Sequence, residues 1–389
     1  MQLAHRMSVL GTETAFEVFA KAKALEAQGR DIVHLHIGAP DFRTPDNIVE
    51  AGIKALRDGW HKYTPANGLP ELREAVCEDI LRHRGATVHP DDVLIAPGGK
   101  PTMFYAIMMF GEPGKEILYP NPGFPIYESV IHWSGATPVP IELREETGFC
   151  FDAERVLAKI TPNTSLLILN SPANPTGGIV PRAELDALVA GLEQHPHVTV
   201  LSDEIYSRLL YDGEEHVSIL QYESLKDRAI LLDGWSKTYA MTGWRLGYGV
   251  WPASIVADAE RIQINSTSCP NAVTQVAAIE ALRGPQDAVE EMRSAFDERR
   301  AIIHEELNAI PGFRCTMPKG AFYAFPSTEG TGISSRDLEE RFLHEAGVAC
   351  LSGTSFGALG EGYMRFSYAN SIENIREGLR RVKDSLQPA

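Results

Sequence analysis

Residues 198–206 read Val-Thr-Val-Leu-Ser-Asp-Glu-Ile-Tyr: an apolar and β-branched run, Val198 to Leu201, followed directly by Ser202, Asp203 and, three residues on, Tyr206. A short uninterrupted run of this kind, bounded by polar residues, reads as a strand buried on both faces, as in a parallel sheet covered by helices. Open α/β sheets present their ligand-contacting groups just beyond the carboxyl ends of the strands, where Asp203 falls. The bland use of the same residue is a helix cap.

The pattern repeats outward from this stretch. Val93 to Ala96, Glu116 to Tyr119, Leu166 to Leu169 and Ala229 to Leu232 are similar runs, separated by longer helical patterns between about Pro45 and Leu282. That alternation predicts an α/β fold with a largely parallel sheet flanked by helices. Upstream, Ala15 to Gln28 has apolar residues at helical spacing and stops at Gly29, before the run Ile32 to Ile37 and a loop from Gly38 to Pro45. Beyond Gly284 come a long charged helix, Ala288 to Ala309, a strand-like Ala321 to Phe325, a helix near Ser335 to Ala346 and a last helix from Ser371. This tail reads as a smaller α+β domain that shares the N-terminal segment. A chain of 389 residues exceeds what one core holds, roughly 250 to 300 residues, so two domains are expected, 46–282 and the combination of 1–45 with 283–389. No repeat or Pro/Gly/Ser linker separates them.

Composition narrows the function. A net charge of -16 repels a phosphate backbone, so nucleic acid is excluded as a partner. The five cysteines, Cys77, Cys150, Cys269, Cys315 and Cys350, are scattered and never in C-x-x-C spacing, which argues against a disulfide framework or a metal centre and for a cytoplasmic location. No signal-peptide pattern or 18-residue uncharged stretch occurs, so no membrane association is expected.

Four strand ends carry unusual chemistry. Pro97-Gly98-Gly99-Lys100-Pro101-Thr102 places glycines after a strand and a proline in the first turn of a helix, where free amides can cradle a phosphate. Asn170 to Gly178, Asn-Ser-Pro-Ala-Asn-Pro-Thr-Gly-Gly, is a turn-rich loop in which Asn174 can offer its amide to an anionic oxygen. Asp203 and Tyr206 form the third. The fourth, Asp233-Gly234-Trp235-Ser236-Lys237 continuing to Gly-Trp-Arg-Leu-Gly at 243–247, sets a lysine among small and aromatic residues, where it can lose its proton and act as a nucleophile. Taken singly, each has a structural reading: a turn, a cap, a core aromatic or a surface ion pair.

In this order, Asn-Pro-Thr-Gly, Asp-x-x-Tyr, Ser-Lys-Thr followed by Gly-Trp-Arg-Leu-Gly, and Arg365-Phe-Ser-Tyr resemble the class I aminotransferases among fold-type I pyridoxal-phosphate enzymes, over nearly the whole chain. The resemblance implies a mainly parallel seven-stranded sheet in the large domain, pyridoxal 5'-phosphate as cofactor, amino acids and 2-oxo acids as substrates, and a homodimer with shared sites. It implies that Lys237 binds the cofactor's aldehyde carbon and moves the proton, and that Asp203 faces the ring nitrogen. By the same match, Asn174 and Tyr206 bond the phenolic oxygen, and Phe124 stacks on the ring. The turn amides near Gly99 and Lys100, together with Ser236 and Arg245, surround the phosphate. Arg365 anchors the substrate carboxylate, approached also by Gly38, and Tyr63 reaches the neighbouring subunit's phosphate.

Substrate choice is less determined. Lys100 matches a lysine that binds the distal carboxylate in some prokaryotic aspartate aminotransferases, which favours aspartate and glutamate with 2-oxoglutarate. Ala15 and Glu17 stand where those enzymes carry small hydroxyl residues, and a glutamate pointing inward there would repel a second carboxylate, whereas on a solvated face of the helix, the commoner place for glutamate, it would not. The alternatives are a transaminase for neutral aliphatic or aromatic amino acids, with a pocket around Phe16, Phe19 and Trp133, or a β-lyase using the same Lys237 and Asp203, recognisable by pyruvate and ammonia released without an oxo-acid acceptor.

Overall fold

The computed structural model describes residues 3–387; residues 1, 2, 388 and 389 of the expected small domain lie outside them. Its centre is a seven-stranded sheet in the order β2-β8-β7-β6-β5-β3-β4, made of β2 (Val93–Ala96), β3 (Glu116–Asn121), β4 (Thr137–Glu142), β5 (Thr164–Asn170), β6 (Thr199–Asp203), β7 (Ala229–Gly234) and β8 (Gly247–Val250). β4, β3, β5, β6 and β7 run parallel, whereas β8 is antiparallel to both β7 and β2.

The continuous apolar runs follow from burial on both faces. Along β5, Leu166 and Ile168 join one core with Met103, Ile107 and Ile131 of the helices on that side, while Leu167 and Leu169 join another with Leu185, Leu188 and Leu192. Side chains alternate across a strand, so a strand covered on both sides needs apolar residues at every position.

Two strands of this sheet escaped the sequence reading. β4 contains Pro138 and Pro140 and is tolerated because it lies at the sheet edge. β8, Gly-Tyr-Gly-Val, is interior, and its glycines serve close packing: a Cβ on Gly247 would lie 2.5 Å from the backbone of Gly98 and Gly99. The β2-to-helix turn is thereby pressed against β8.

Smaller sheets combine the two ends of the chain. β1 (Val33–His34) pairs in parallel with β10 (Val348–Ala349), and β11 (Leu351–Ser352), β12 (Met364–Ser367) and β9 (Tyr323–Ala324) form a three-stranded antiparallel sheet. The N-terminal helix α1 spans Thr14–Glu26, and the long charged helix spans Asp287–Asn308. The helix expected near 335–346 ends as Ser335–Arg341 followed by a wider turn, Phe342–Ala346. The last helix, Ile372–Ser385, starts on Ser371, whose side chain accepts from the Asn374 amide. Among the described residues no helix is long and apolar enough to cross a membrane.

Candidate active site

The carboxyl ends of the parallel strands lie level. Asn170 at the end of β5 is in register with Asp203 at the end of β6, and Asp203 with Leu232 of β7. A cavity of 620 Å³ opens above them. It gathers Asn174, Asp203, Tyr206, Ser236, Lys237 and Arg245 from the strand ends, Gly99, Lys100 and Phe124 from the loops after β2 and β3, and Gly38 and Arg365 from the terminal segments. Of the cofactor and carboxylate contacts that the resemblance implies, Tyr63 alone stands outside, with 90% of its surface exposed.

At the bottom is Asp203. Tyr127 donates its hydroxyl to Oδ2 at 2.6 Å and the Ile205 amide donates to Oδ1 at 3.3 Å. Burial pushes its carboxyl up to about 6, against the lowering by those hydrogen bonds. Lys237 sits in the short helix Trp235–Thr238 directly after β7, and its ammonium donates to the Gly38 carbonyl. Burial, then the positive charges of Arg365 and Arg245, push it down to about 7, so that near neutral pH a large share of the amine carries a free lone pair.

Arg365 is fully enclosed on β12. Its Nη1 donates to Asn174 Oδ1 at 2.9 Å and its Nη2 to the His36 carbonyl at 2.5 Å, and the guanidinium lies 4.4 Å and 4.7 Å from the ring centres of Tyr323 and Phe356. Those rings fix the plane of the fork, while Nε is buried without a hydrogen-bond partner among the described residues. Tyr206 and Tyr323 share a 2.7 Å hydrogen bond, and burial keeps the Tyr206 phenol protonated.

The turn after β2 is built for close approach. Gly98 has φ +103°, and a Cβ there would lie 2.3 Å from Arg245 Nη2. Only glycine lets that guanidinium rest on the turn where helix Lys100–Phe110 begins. A cationic fork, a helix start and the Ser236 hydroxyl suit a phosphate; a buried carboxylate suits a protonated ring nitrogen; a nearly neutral buried amine suits an aldehyde. The donor set fits pyridoxal phosphate.

At the pocket mouth one open question closes, the direction of Glu17, and one expectation, Trp133, is corrected. Glu17 is exposed and does not line the cavity, because it lies on the outer side of α1; Glu13, immediately before that helix, lines it instead. Trp133 is also absent from the lining, held on Ile126–Ser134 against Phe104 and Arg6, whereas Phe16 and Phe19 are present. Glu13 is ion-paired with Lys100, whose Nζ lies 5.5 Å from the Phe124 ring centre and 6.0 Å from that of Phe16.

Sequence reasoning also missed Tyr127, Tyr323 and Ser355. Tyr127 falls three residues after Phe124, one helical turn away, and this spacing was the available signal. Tyr323 lies in the strand expected at 321–325. Ser355, whose Oγ is buried without a partner among the described residues, had no signal.

Residues 30–382 match the family model "Aminotransferase class I and II". The chain is 39% identical to an aspartate aminotransferase of Bacillus sp. strain YM-2, with 98% of each chain covered. The crystal structure of the aspartate aminotransferase from Rhizobium meliloti superposes with a TM-score of 0.95 at 35% identity, covering 99% of both chains. An aromatic aminotransferase from Pyrococcus horikoshii OT3 superposes with a TM-score of 0.88 at 36% identity, covering 93% of this chain and 98% of that one.

Proposed function

Since the chain belongs to the class I and II aminotransferases and is a pyridoxal-phosphate-dependent transaminase, we propose that its amino donor is a dicarboxylic L-amino acid, aspartate or glutamate, with 2-oxoglutarate as the matching acceptor. The observation that carries this reading is the presence of Lys100 and Arg365 in one cavity, a cation for each carboxylate of such a donor. Aspartate is also the substrate named for the relatives in Bacillus and Rhizobium.

Bound pyridoxal phosphate supplies an electrophilic carbon and a ring that accepts the negative charge developing at the substrate Cα. The protein's residues do the rest. Arg365, its plane fixed by Tyr323 and Phe356, takes the α-carboxylate as a bidentate partner and orients the Cα–H bond. Lys237 removes that proton and returns one, a role suited to an amine poised near pH 7. Asp203, steadied by Tyr127, holds a negative charge against the ring nitrogen. Asn174 and Tyr206 bond the phenolic oxygen and Phe124 stacks on the ring. The backbone amides of the turn at Gly99 and Lys100, with Ser236 and Arg245, hold the phosphate, Gly38 gives room beside the carboxylate, and Tyr63, exposed in the single chain, reaches the site of a second subunit in a homodimer. The domain division 46–282 against both ends is supported by the pairing of β1 with β10. The cysteines, all free, agree with a cytoplasmic enzyme.

A second reading, transamination of aromatic donors, is favoured by Phe16, Phe19, Met103 and Phe356 in the same lining. One experiment separates the two. The visible absorbance of cofactor-loaded protein is followed while aspartate, glutamate, alanine, phenylalanine and cysteine are added singly without an oxo acid. Conversion to the amine form of the cofactor by aspartate or glutamate, reversed by 2-oxoglutarate, is expected; conversion by phenylalanine or alanine alone removes the dicarboxylate reading. Pyruvate and ammonia from cysteine would mark a lyase.

A further inference from the structure

We infer that Glu13 is a specificity-determining residue: its carboxylate occupies Lys100 as an internal stand-in for the side-chain carboxylate of a substrate, so a dicarboxylic ligand must displace it while an uncharged one leaves the pair closed. The inference rests on the distal-carboxylate role of Lys100 proposed above.

Three observations carry it. The first is position. Glu13 occupies the N-cap of α1 with extended backbone, φ -94° and ψ 111°, yet its side chain caps no helix amide. Short side chains serve that local purpose, and the longer glutamate instead spans to Lys100, 87 residues away in sequence. The second is enclosure. The Glu13 side chain is 17% exposed against 44% for Lys100, so the anion is the more sequestered partner and stands within the cavity. The third is the surroundings of the ammonium. Beyond Glu13 it has the ring faces of Phe16 and Phe124 near it, and burial together with the positive charge of Arg245 disfavours its charged form. A carboxylate is the group that compensates, and Glu13 and a substrate carboxylate satisfy Lys100 in the same way.

A partly exposed ion pair is weak enough for a ligand to open. Opening also leaves the Glu13 anion beside the incoming one, so the residue opposes dicarboxylates through both competition and repulsion. With the pair closed, the mouth is electrically neutral and lined by Phe16, Phe19 and Phe124, a setting that accepts an apolar side chain.

The test is calorimetric binding of succinate and of butyrate, its four-carbon analogue with one carboxylate, to the holoenzyme and to holo forms of Glu13→Gln and Lys100→Met. Because Glu13 caps nothing, the glutamine variant loses no helix-start hydrogen bond. Succinate is expected to bind Glu13→Gln about five- to tenfold more tightly than the wild type, butyrate to move by less than about twofold, and Lys100→Met to lose the preference for succinate. Unchanged or weaker succinate binding in Glu13→Gln, with weakening in Lys100→Met, overturns the inference and leaves the dicarboxylate reading standing. Succinate binding no tighter than butyrate in both wild type and Glu13→Gln overturns both.

Discussion

The floor and the mouth of the cavity are built on different principles. The floor, with Asp203, Asn174 and Arg365, consists of buried polar groups held by hydrogen bonds to one another or to backbone: Tyr127 to Asp203, and Arg365 to both Asn174 and the His36 carbonyl. The mouth consists of Glu13, Lys100, Phe16 and Phe124, where a partly exposed ion pair and ring faces do the holding. Buried polar groups are costly to leave unpaired, so the floor has one low-energy arrangement. A partly exposed pair competes with water on nearly equal terms, so the mouth has room for two. Chemistry common to all substrates belongs on the first kind of structure and discrimination among them on the second.

The largest effect that this contrast predicts is at Lys237. Lys237→Ala lowers kcat by at least about 10⁴-fold for every donor, because nucleophile and proton carrier are lost together. Borohydride treatment of the loaded variant then leaves no cofactor fixed to the protein by intact mass, whereas the wild type retains one. In cofactor-free wild type, the neutral fraction of this amine grows as pH rises through about 7, well before ordinary lysines respond near pH 10. Its reductive methylation is therefore expected to climb between pH 6 and 8, by about tenfold for each pH unit below the midpoint, as read by peptide mass spectrometry. A midpoint near 10 would show that the floor does not enclose the amine as described.

Arg365→Gln comes next. It removes the cation facing the α-carboxylate that every donor shares, so kcat/KM for aspartate and phenylalanine falls together, by about 10² to 10³-fold, or roughly 3 to 4 kcal/mol. Unequal losses would move Arg365 from the floor to the mouth.

How much of this was legible in the chain follows the same division. Asp203, Asn174 and Lys237 each stand at or just after the end of an apolar run, so strand patterning alone locates them. β4 and β8 were hidden by Pro138, Pro140, Gly247 and Gly249, whose local preferences oppose a strand and are overruled by an edge position and by close backbone packing. At the mouth, the sequence located Phe16 and Phe19, left the direction of Glu17 open and added Trp133, whereas the structure has Glu13 facing the cavity and Trp133 outside it. The phase of a helix that enters from the other end of the chain is set by tertiary packing, here of Val18 and Ala22 into the core, and a displacement of four residues in a contact leaves no trace in local composition.

Smaller effects probe the mouth. Lys100→Met is expected to lower kcat/KM for aspartate about tenfold and to leave phenylalanine within about twofold, the opposite of the parallel losses at Arg365. A parallel fall would reassign Lys100 to the cofactor phosphate, the other role that its place beside Arg245 allows.

The smallest effect is the most discriminating. Glu17→Gln makes the same chemical change as Glu13→Gln, four residues on in the first turn of α1, at a residue that is exposed and outside the cavity. A surface change of this kind stays within about 0.5 kcal/mol, so kcat/KM for aspartate and for phenylalanine should each remain within about twofold of the wild type. If the contrast between floor and mouth is one of specific contacts, the two variants differ in their response to succinate. If removing any negative charge near the opening strengthens anion binding equally, both variants tighten succinate alike, and the mouth acts through its overall field rather than through the pair with Lys100. Repeating the titrations at high salt separates the cases further: a long-range field is screened within about 10 Å at 0.1 M salt, whereas direct competition for Lys100 retains the difference between the two glutamates.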